Sequence, residues 1–325
     1  MEYITLKNSD LKVSRLCMGG CPMGGHGWGK TDEEELINAV HTAVDQGINF
    51  FDTADTYGLG QSEITLGKAL GNHRNEVVIS TKFGVRVGDG KTIYDNSPQW
   101  IQEALEASLK RLGTDYVDLY QVHYRDGVTP IATVVKMLEE LKKQGYIRYY
   151  GLSNIHKKDI LEIKEFQGKF VSFQDEYSLA CRKNETDMME IATTLSMTPL
   201  TWGSLGQGIL TGKYTKENVN FGVDDRRSRD IYVNFHGEKL LKNLEIVEVM
   251  KKIAERHGRP VPAVAIRFIM DWLENSAILV GAKRPTQIID CIKGADWNLT
   301  KEELAMLDNV SFESQNRMGG GWNFR

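Results

Sequence analysis

Phe50-Phe51-Asp52-Thr53-Ala54-Asp55-Thr56-Tyr57-Gly58 (FFDTADTYG, residues 50–58) is an apolar run that ends in a carboxylate and reaches a phenol five residues later. Asp52 and Tyr57 thus fall where a buried strand gives way to a loop. Two later strand-like runs end in the same manner, EVVISTK (76–82) at Lys82 and DLYQVH (118–123) at His123. Reading outward from INFFD (48–52) and these two adds VSRLCMG (13–19), IRYYGLS (147–153), FVSFQ (170–174), MTPLTW (197–202) and SAILVG (276–281). Between the runs lie amphipathic helical patterns over 32–46, 62–70, 98–112, 130–144, 156–166, 185–195, 239–257 with 261–273, and 285–293. Strands alternating with helices predict βαβ units and a parallel sheet, and eight units fit a closed (β/α)8 TIM barrel.

Local punctuation agrees. Ser97-Pro98 and Thr129-Pro130 each read as an N-cap followed by Pro in the first turn. YITLKNSDLKVSRL predicts an N-terminal β-hairpin around Asn8-Ser9-Asp10 that covers the barrel bottom. Long loops at the C-terminal face are expected from Gly203 to about Phe235, a polar and charged flap, alongside the tail ESQNRMGGGWNFR. No repeat or linker divides the chain, so residues 1–325 read as one domain.

Composition narrows the function. With 41% hydrophobic and 26% charged residues the chain can bury a substantial core. No apolar run approaches the roughly 20 residues of a membrane span. Net charge is −4 with scattered basic residues, which argues against nucleic acid or an anionic membrane and for small-molecule partners, as a monomer or a homo-oligomer. MEYITLKNSDLKV lacks a basic-then-apolar signal, so a cytoplasmic protein is expected. Cys17, Cys21, Cys181 and Cys291 form no CxxC pair, predicting reduced, mostly buried thiols and no metal site, with a redox role for Cys17 and Cys21 as the alternative.

Strand ends at the C-terminal face of such a barrel are where chemistry gathers. Asp52, Tyr57, Lys82 and His123 all fall there, in order, on three successive strands. Together with DLYQVHYRD (118–126), YYGLSN (149–154), SFQ (172–174), WGSLGQGILTGKY (202–214) and VGAKRPTQ (280–287), this resembles the aldo-keto reductase superfamily across nearly the whole chain. The WGSLGQGILTGKY and GAKRP stretches look most like the bacterial branch that includes inositol-operon reductases.

The resemblance implies hydride transfer between a nicotinamide cofactor and an aldehyde or ketone, a sugar-derived carbonyl among the candidates. Oxygen then gains negative charge and must be stabilised and protonated. Tyr57 is the expected proton donor, with Lys82 as the cation that favours its ionisation, Asp52 as the partner of Lys82, and His123 as a hydrogen-bond donor that orients the carbonyl.

By the same resemblance Ser153, Asn154 and Gln174 hold the nicotinamide carboxamide, and Trp202 offers the ring a flat face or, alternatively, plugs the barrel. Gly203, Ser204, Leu205, Gly206 and Gly208 let backbone amides approach a pyrophosphate, with Lys213 as a point charge. No GxGxxG sits in a strand-turn-helix setting, so a Rossmann domain is not expected. Gly281 and Ala282 lead into Lys283 and Arg284, which precede a helix opened by Pro285. Two cations and helix N-terminal donors there predict a site for an extra phosphate, favouring NADPH/NADP+ over NADH. Gln287 and Asp290 are expected on the adenosine side with Cys291, which stands where relatives usually carry Asn.

Trp28, Phe83 and Tyr124 are the expected substrate-pocket walls, with Tyr94 and Trp322 as further aromatics, and His26 beside Trp28 reads as a solvated loop histidine or, alternatively, as a polar substrate contact. Two rival readings are an NADPH-binding sensor subunit with little turnover and a Schiff-base lyase using Lys82. The intact tetrad opposes the first, and the Asp52 partner of Lys82 opposes the second.

Overall fold

Alternating apolar residues along eight short strands produce a sheet that closes on itself. The computed structural model describes residues 1–318 apart from His26, Asp89 and Val223, so His26 and Trp322, named above, lie outside the described residues. The strands are β1 (Tyr3–Thr5), β2 (Lys12–Ser14), β3 (Leu16–Gly19), β4 (Phe50–Asp52), β5 (Val78–Phe83), β6 (Val85–Gly88), β7 (Lys91–Tyr94), β8 (Val117–Val122), β9 (Ile147–Ser153), β10 (Phe170–Glu176), β11 (Thr198–Trp202) and β12 (Ala277–Gly281). β3, β4, β5, β8, β9, β10, β11 and β12 close in that order, all parallel, with helices between them. This is the predicted (β/α)8 TIM barrel, and each of its strands overlaps a predicted run.

Strand period sorts the core into two shells. Cys17, Phe50, Val78, Leu119, Val171, Leu200 and Ala277 point into the barrel, where Leu6, Leu11 and Val13 of the β1–β2 hairpin join them as a plug. The intervening residues, among them Met18, Phe51, Ile79, Tyr120 and Phe173, face the helices. The hairpin is pinned by the Lys7 amide, which donates to Thr198 Oγ1 at 2.8 Å. Asn8 takes a φ of 56° at its turn.

Several expectations are corrected. The run 13–19 is two strands, divided at Arg15, whose amide bonds the Glu2 carbonyl and whose guanidinium reaches the Glu2 carboxylate. Ser97 caps its helix as expected, accepting from the Trp100 amide, but Thr129 does not. Its amide and hydroxyl donate to the Asp126 carboxylate, the helix Ile131–Lys143 starts after Pro130, and the Ile131 amide bonds Glu162. The pattern 156–166 breaks into a 3-10 turn, Lys157–Asp159, and a short helix, Ile160–Lys164. The β6–β7 hairpin and the helix Lys301–Met318 were not anticipated. The 203–235 stretch holds 3-10 turns at Gly206–Thr211, Arg226–Ser228 and Val233–Phe235, and packs Tyr214, Phe221 and Phe235 on one another. Among the described residues no helix is long and apolar enough to cross a membrane.

Glu63 ties the wall of helices to the barrel. Fully buried, it accepts from Thr81 Oγ1 and from Arg111 Nε, each at 2.6 Å, linking the helix Gln61–Leu70 to β5 and to the helix Pro98–Leu112. Glu63→Ala strips a mostly buried guanidinium of its partner and is expected to cost about 3 kcal/mol or more in urea unfolding. A loss below about 1 kcal/mol, the scale of a surface pair, would contradict this account.

Candidate active site

Side chains two residues apart on a strand share a face. Ser80 and Lys82 on β5 therefore look inward with Asp52 at the end of β4. Gln121 on β8 and Gln174 on β10 do the same, and the register sets Asp52 beside Ser80 and Lys82 beside Gln121. Lys82, fully buried, donates from Nζ to Asp52 Oδ1 at 2.6 Å, to the Thr53 carbonyl at 2.8 Å and to the Tyr57 hydroxyl at 3.4 Å. Asp52 Oδ2 accepts from Gln174 Nε2 at 2.9 Å, Ser80 Oγ at 3.1 Å and Gln121 Nε2 at 3.3 Å. His123 follows β8 directly, its ring set edge-on to Tyr57 with centroids 6.0 Å apart. The structure thus brings Asp52, Tyr57, Lys82 and His123 to one spot.

A backbone contact fixes the loop that carries Tyr57. Gly58 has a φ of +61°, and a Cβ there would lie 2.0 Å from the Gly24 carbonyl oxygen, so only glycine lets the first loop, residues 20–32 after β3, touch the Tyr57 loop. Burial first, then Cys21 and Asp52, pushes the Tyr57 phenol well above its ordinary range. Burial and the nearby Asp52 charge favour the protonated form. Burial, aided by Lys82, holds the His123 imidazole well below its usual range, so it is neutral near pH 7.

At the ends of β9 and β10 the Ser153 hydroxyl donates to the Gln174 carbonyl at 3.0 Å. Asn154 Nδ2 donates to Ser153 Oγ at 3.1 Å and to the His123 carbonyl at 3.0 Å. These three amide and hydroxyl side chains therefore surround the strand ends next to Asp52. Trp202, half-buried, lies over the apolar barrel interior at the end of β11. Beyond it Gly203, Gly206 and Gly208 take φ values of 67°, 56° and 106°, which turn the backbone in ways other residues resist. The Ser204 hydroxyl is tied to the Thr201 carbonyl, and Leu205 is half-buried.

Positive charge collects opposite these glycines. Lys283 Nζ donates to the Trp28 carbonyl at 2.8 Å and the Lys30 carbonyl at 3.3 Å. Its ammonium is destabilised by burial and then by Arg227 and Lys213, which places the three cations near one another. Arg227 was missed by sequence reasoning. It pairs with Asp225 through two nitrogens at 2.8 and 2.6 Å and stacks on Phe221, and its Nη1 is 3.5 Å from where a Gly208 Cβ would be. Arg284 stands at the N-cap position of the helix Pro285–Ile292 with no side-chain capping bond, Gly281 ends β12, Ala282 is buried, and Gln287 Oε1 accepts from the Lys283 amide at 2.8 Å. Asp290 lies 3.9 Å from Lys293. Lysine and arginine fit the phosphates of a dinucleotide cofactor, whereas the Gly206 and Gly208 amides, expected to face a pyrophosphate, already donate to the Gly203 and Leu205 carbonyls at 2.7 and 2.9 Å. Cys291 does not fit its expected place, since its side chain is buried in the core and burial pushes its thiol up to about 12.

Trp28 donates from Nε1 to Cys21 Sγ at 3.2 Å and meets Tyr232 edge-on. Tyr124 stacks on His123 with centroids 4.9 Å apart. Phe83 is not a pocket wall. It follows Lys82 and so points the other way, fully buried on the helix side against Tyr120 at 4.6 Å. Ser80 and Gln121 were also missed, although counting back two residues from Lys82 and His123 would have found them. Arg227 and Tyr232 carried no such signal, because only the folded long segment brings them here. Among the described residues no group of three or more His, Cys, Asp or Glu side chains could hold a metal ion.

The Aldo/keto reductase family model matches residues 15–311. Aldo-keto reductase YhdN of Bacillus subtilis is 35% identical over 95% of this chain and 93% of its own length. The NADH-specific methylglyoxal reductase of Escherichia coli is 31% identical over 96% of this chain and 98% of its own. The structure of the glycerol dehydrogenase AKR11B4 from Gluconobacter oxydans superposes with a TM-score of 0.86 at 31% identity, covering 99% of this chain and 98% of that one. The chain belongs to the aldo/keto reductase family of nicotinamide-dependent oxidoreductases.

Proposed function

We propose that this protein is an NADPH-dependent carbonyl reductase in which Tyr57 is the general acid, with an aldehyde or ketone, sugar-derived carbonyls included, as substrate. The observation that carries the reading is the contact of one buried ammonium, Lys82, with both Asp52 and Tyr57 beside a neutral His123. A bound nicotinamide supplies the hydride. Tyr57, kept protonated by burial, holds the proton that the carbonyl oxygen requires. Once that proton leaves, Lys82 at 3.4 Å is the cation beside the phenolate. Because Asp52 accepts from Lys82, the ammonium is directed and partly neutralised, which keeps the resting phenol from ionising. His123 Nδ1 is buried without a hydrogen-bond partner, which favours a bare Nδ1 and a proton on Nε2, since buried orphan N–H groups are rarer than orphan acceptors. Nε2–H is then free to donate to the substrate oxygen.

Ser153, Asn154 and Gln174 present the amide and hydroxyl groups suited to a carboxamide. Lys283, Arg284, Lys213 and Arg227 supply charge for phosphates, and the first two favour NADPH. The Escherichia coli relative is NADH-specific, so the preference is a property to be tested residue by residue.

Tyr57→Phe removes the proton and little else. Its kcat is expected to fall by about a thousandfold with cofactor affinity nearly unchanged, and normal turnover would refute the assignment. Arg284→Ala is expected to weaken NADPH by about tenfold or more while leaving NADH binding nearly as it was, read by fluorescence titration. Equal losses for both cofactors would remove the phosphate role.

His123 also makes a prediction about stability. Its folded-state pKa lies below 6.5, so the unfolded chain takes up the proton first, and stability is lost as pH falls through about 6.5. Urea unfolding at pH 8 and pH 5 should show a smaller acid loss for His123→Gln than for the parent. The same loss in both would mean that His123 titrates normally.

A further inference from the structure

We infer that Tyr94, acting through Tyr124, is a positioning residue that fixes the orientation of the His123 ring; this rests on the reading of His123 as donor to the carbonyl oxygen. An imidazole is usually aimed by a hydrogen bond at its second nitrogen. Here Nδ1 has none. What bounds the ring instead is aromatic: Tyr57 edge-on at 6.0 Å and 84°, and Tyr124 stacked at 4.9 Å and 27°. Tyr94 packs in turn on Tyr124, with centroids 5.4 Å apart and planes at 50°.

The hairpin that carries Tyr94 is locked to the loop that carries Tyr124. Tyr94 ends β7, opposite Val85 of β6. Just beyond it the Asp95 amide bonds the Gly84 carbonyl at 3.1 Å. Asn96, fully buried, donates from Nδ2 to the Tyr124 carbonyl at 3.0 Å and accepts at Oδ1 from the Asp126 amide at 2.9 Å. Its own amide donates to Asp126 Oδ2 at 2.8 Å. Gly84 permits this, for a Cβ there would lie 2.6 Å from Asn96 Nδ2 and 3.1 Å from the Tyr124 carbonyl oxygen. Arg86 braces the far side, paired with Asp95 at 2.8 Å and lying over the Trp100 ring. The Tyr94 ring is therefore delivered to Tyr124 by a rigid support. It is also 41% exposed and has little share in the core, so it can be changed without unfolding the barrel.

The test uses Tyr94→Ala and Tyr94→Phe in the full chain, with steady-state reduction of a simple aliphatic aldehyde by NADPH. It adds 15N spectra of the histidine rings, with His123 assigned from His123→Gln. Tyr94→Ala should lower kcat about three- to tenfold, the scale of one aromatic contact, with KM for aldehyde and NADPH little changed. Tyr94→Phe should restore kcat, because the ring and not the hydroxyl makes the contact. The His123 ring resonances should shift or broaden in Tyr94→Ala and match the parent in Tyr94→Phe. Unchanged kcat and unchanged His123 resonances in Tyr94→Ala would overturn the inference. A change confined to the aldehyde KM would overturn it too, making Tyr94 a substrate contact. The spectra need no turnover, so a failure of the reductase reading itself, seen with Tyr57→Phe, would be told apart from a failure of this one.

Discussion

An ammonium group with no exposure to water is the constraint on which the rest of the mouth of this barrel depends. Burying Lys82 costs several kcal/mol unless its charge and its three donors are matched. Asp52, the Thr53 carbonyl and the Tyr57 hydroxyl do that matching. Asp52 in turn is held by Ser80, Gln121 and Gln174, one from each of three strands. Lys82 and Asp52 are thus saturated from below and from the sides, and the Tyr57 hydroxyl is the boundary of the layer they form. Such a layer is destabilising when half-built, which explains why its members come from β4, β5, β8 and β10 at matching heights.

The same saturation governs the proton. A bare lysine beside a phenol would draw the phenol toward ionisation, whereas a lysine already paired with a carboxylate in a dry site does not. Tyr57 therefore keeps its proton at rest, and the direction of its shift follows from burial before any pairwise charge. Gln174 has a double position in this scheme. Its Nε2 serves Asp52, while its backbone carbonyl receives the Ser153 hydroxyl and the Asn154 amide. The group expected at the carboxamide is thereby joined to the Asp52 carboxylate by one residue.

Away from this layer the loops supply charge and shape. The first loop touches the long 203–235 segment: the Arg226 amide bonds the Gly27 carbonyl at 3.0 Å, and Trp28 meets Tyr232. Lys283 joins the first loop to the helix Pro285–Ile292 through the Trp28 and Lys30 carbonyls. Trp28, Tyr232 and Lys283 are consequently parts of one connected rim, although they come from distant parts of the chain.

The eight barrel strands and the four residues at their ends were legible in the sequence because both follow from local rules. Short apolar runs alternate with amphipathic ones, and a polar residue that closes a buried run must face the open end of the sheet. Pro285 and the glycines of 203–208 likewise announce a helix start and an unusual backbone by their own chemistry. Phe83, Cys291 and Thr129 were misjudged for a common reason: type and position along the chain do not say which side a residue faces or which neighbour claims its donors. Inward or outward for Phe83, core or surface for Cys291, and Asp126 or the helix for Thr129 are set by packing. The β6–β7 hairpin, the pairing of Arg227 with Asp225 among aromatics, and the suspension of His123 between Tyr57 and Tyr124 also arise from contacts made only after closure. The sequence by itself determined the barrel and the polar groups that meet at its mouth, since periodicity and residue chemistry are properties of short segments. Only the tertiary structure decided the aim of those groups and the direction in which the Tyr57 and His123 protons are shifted, since both depend on burial and on partners brought together by closure of the sheet.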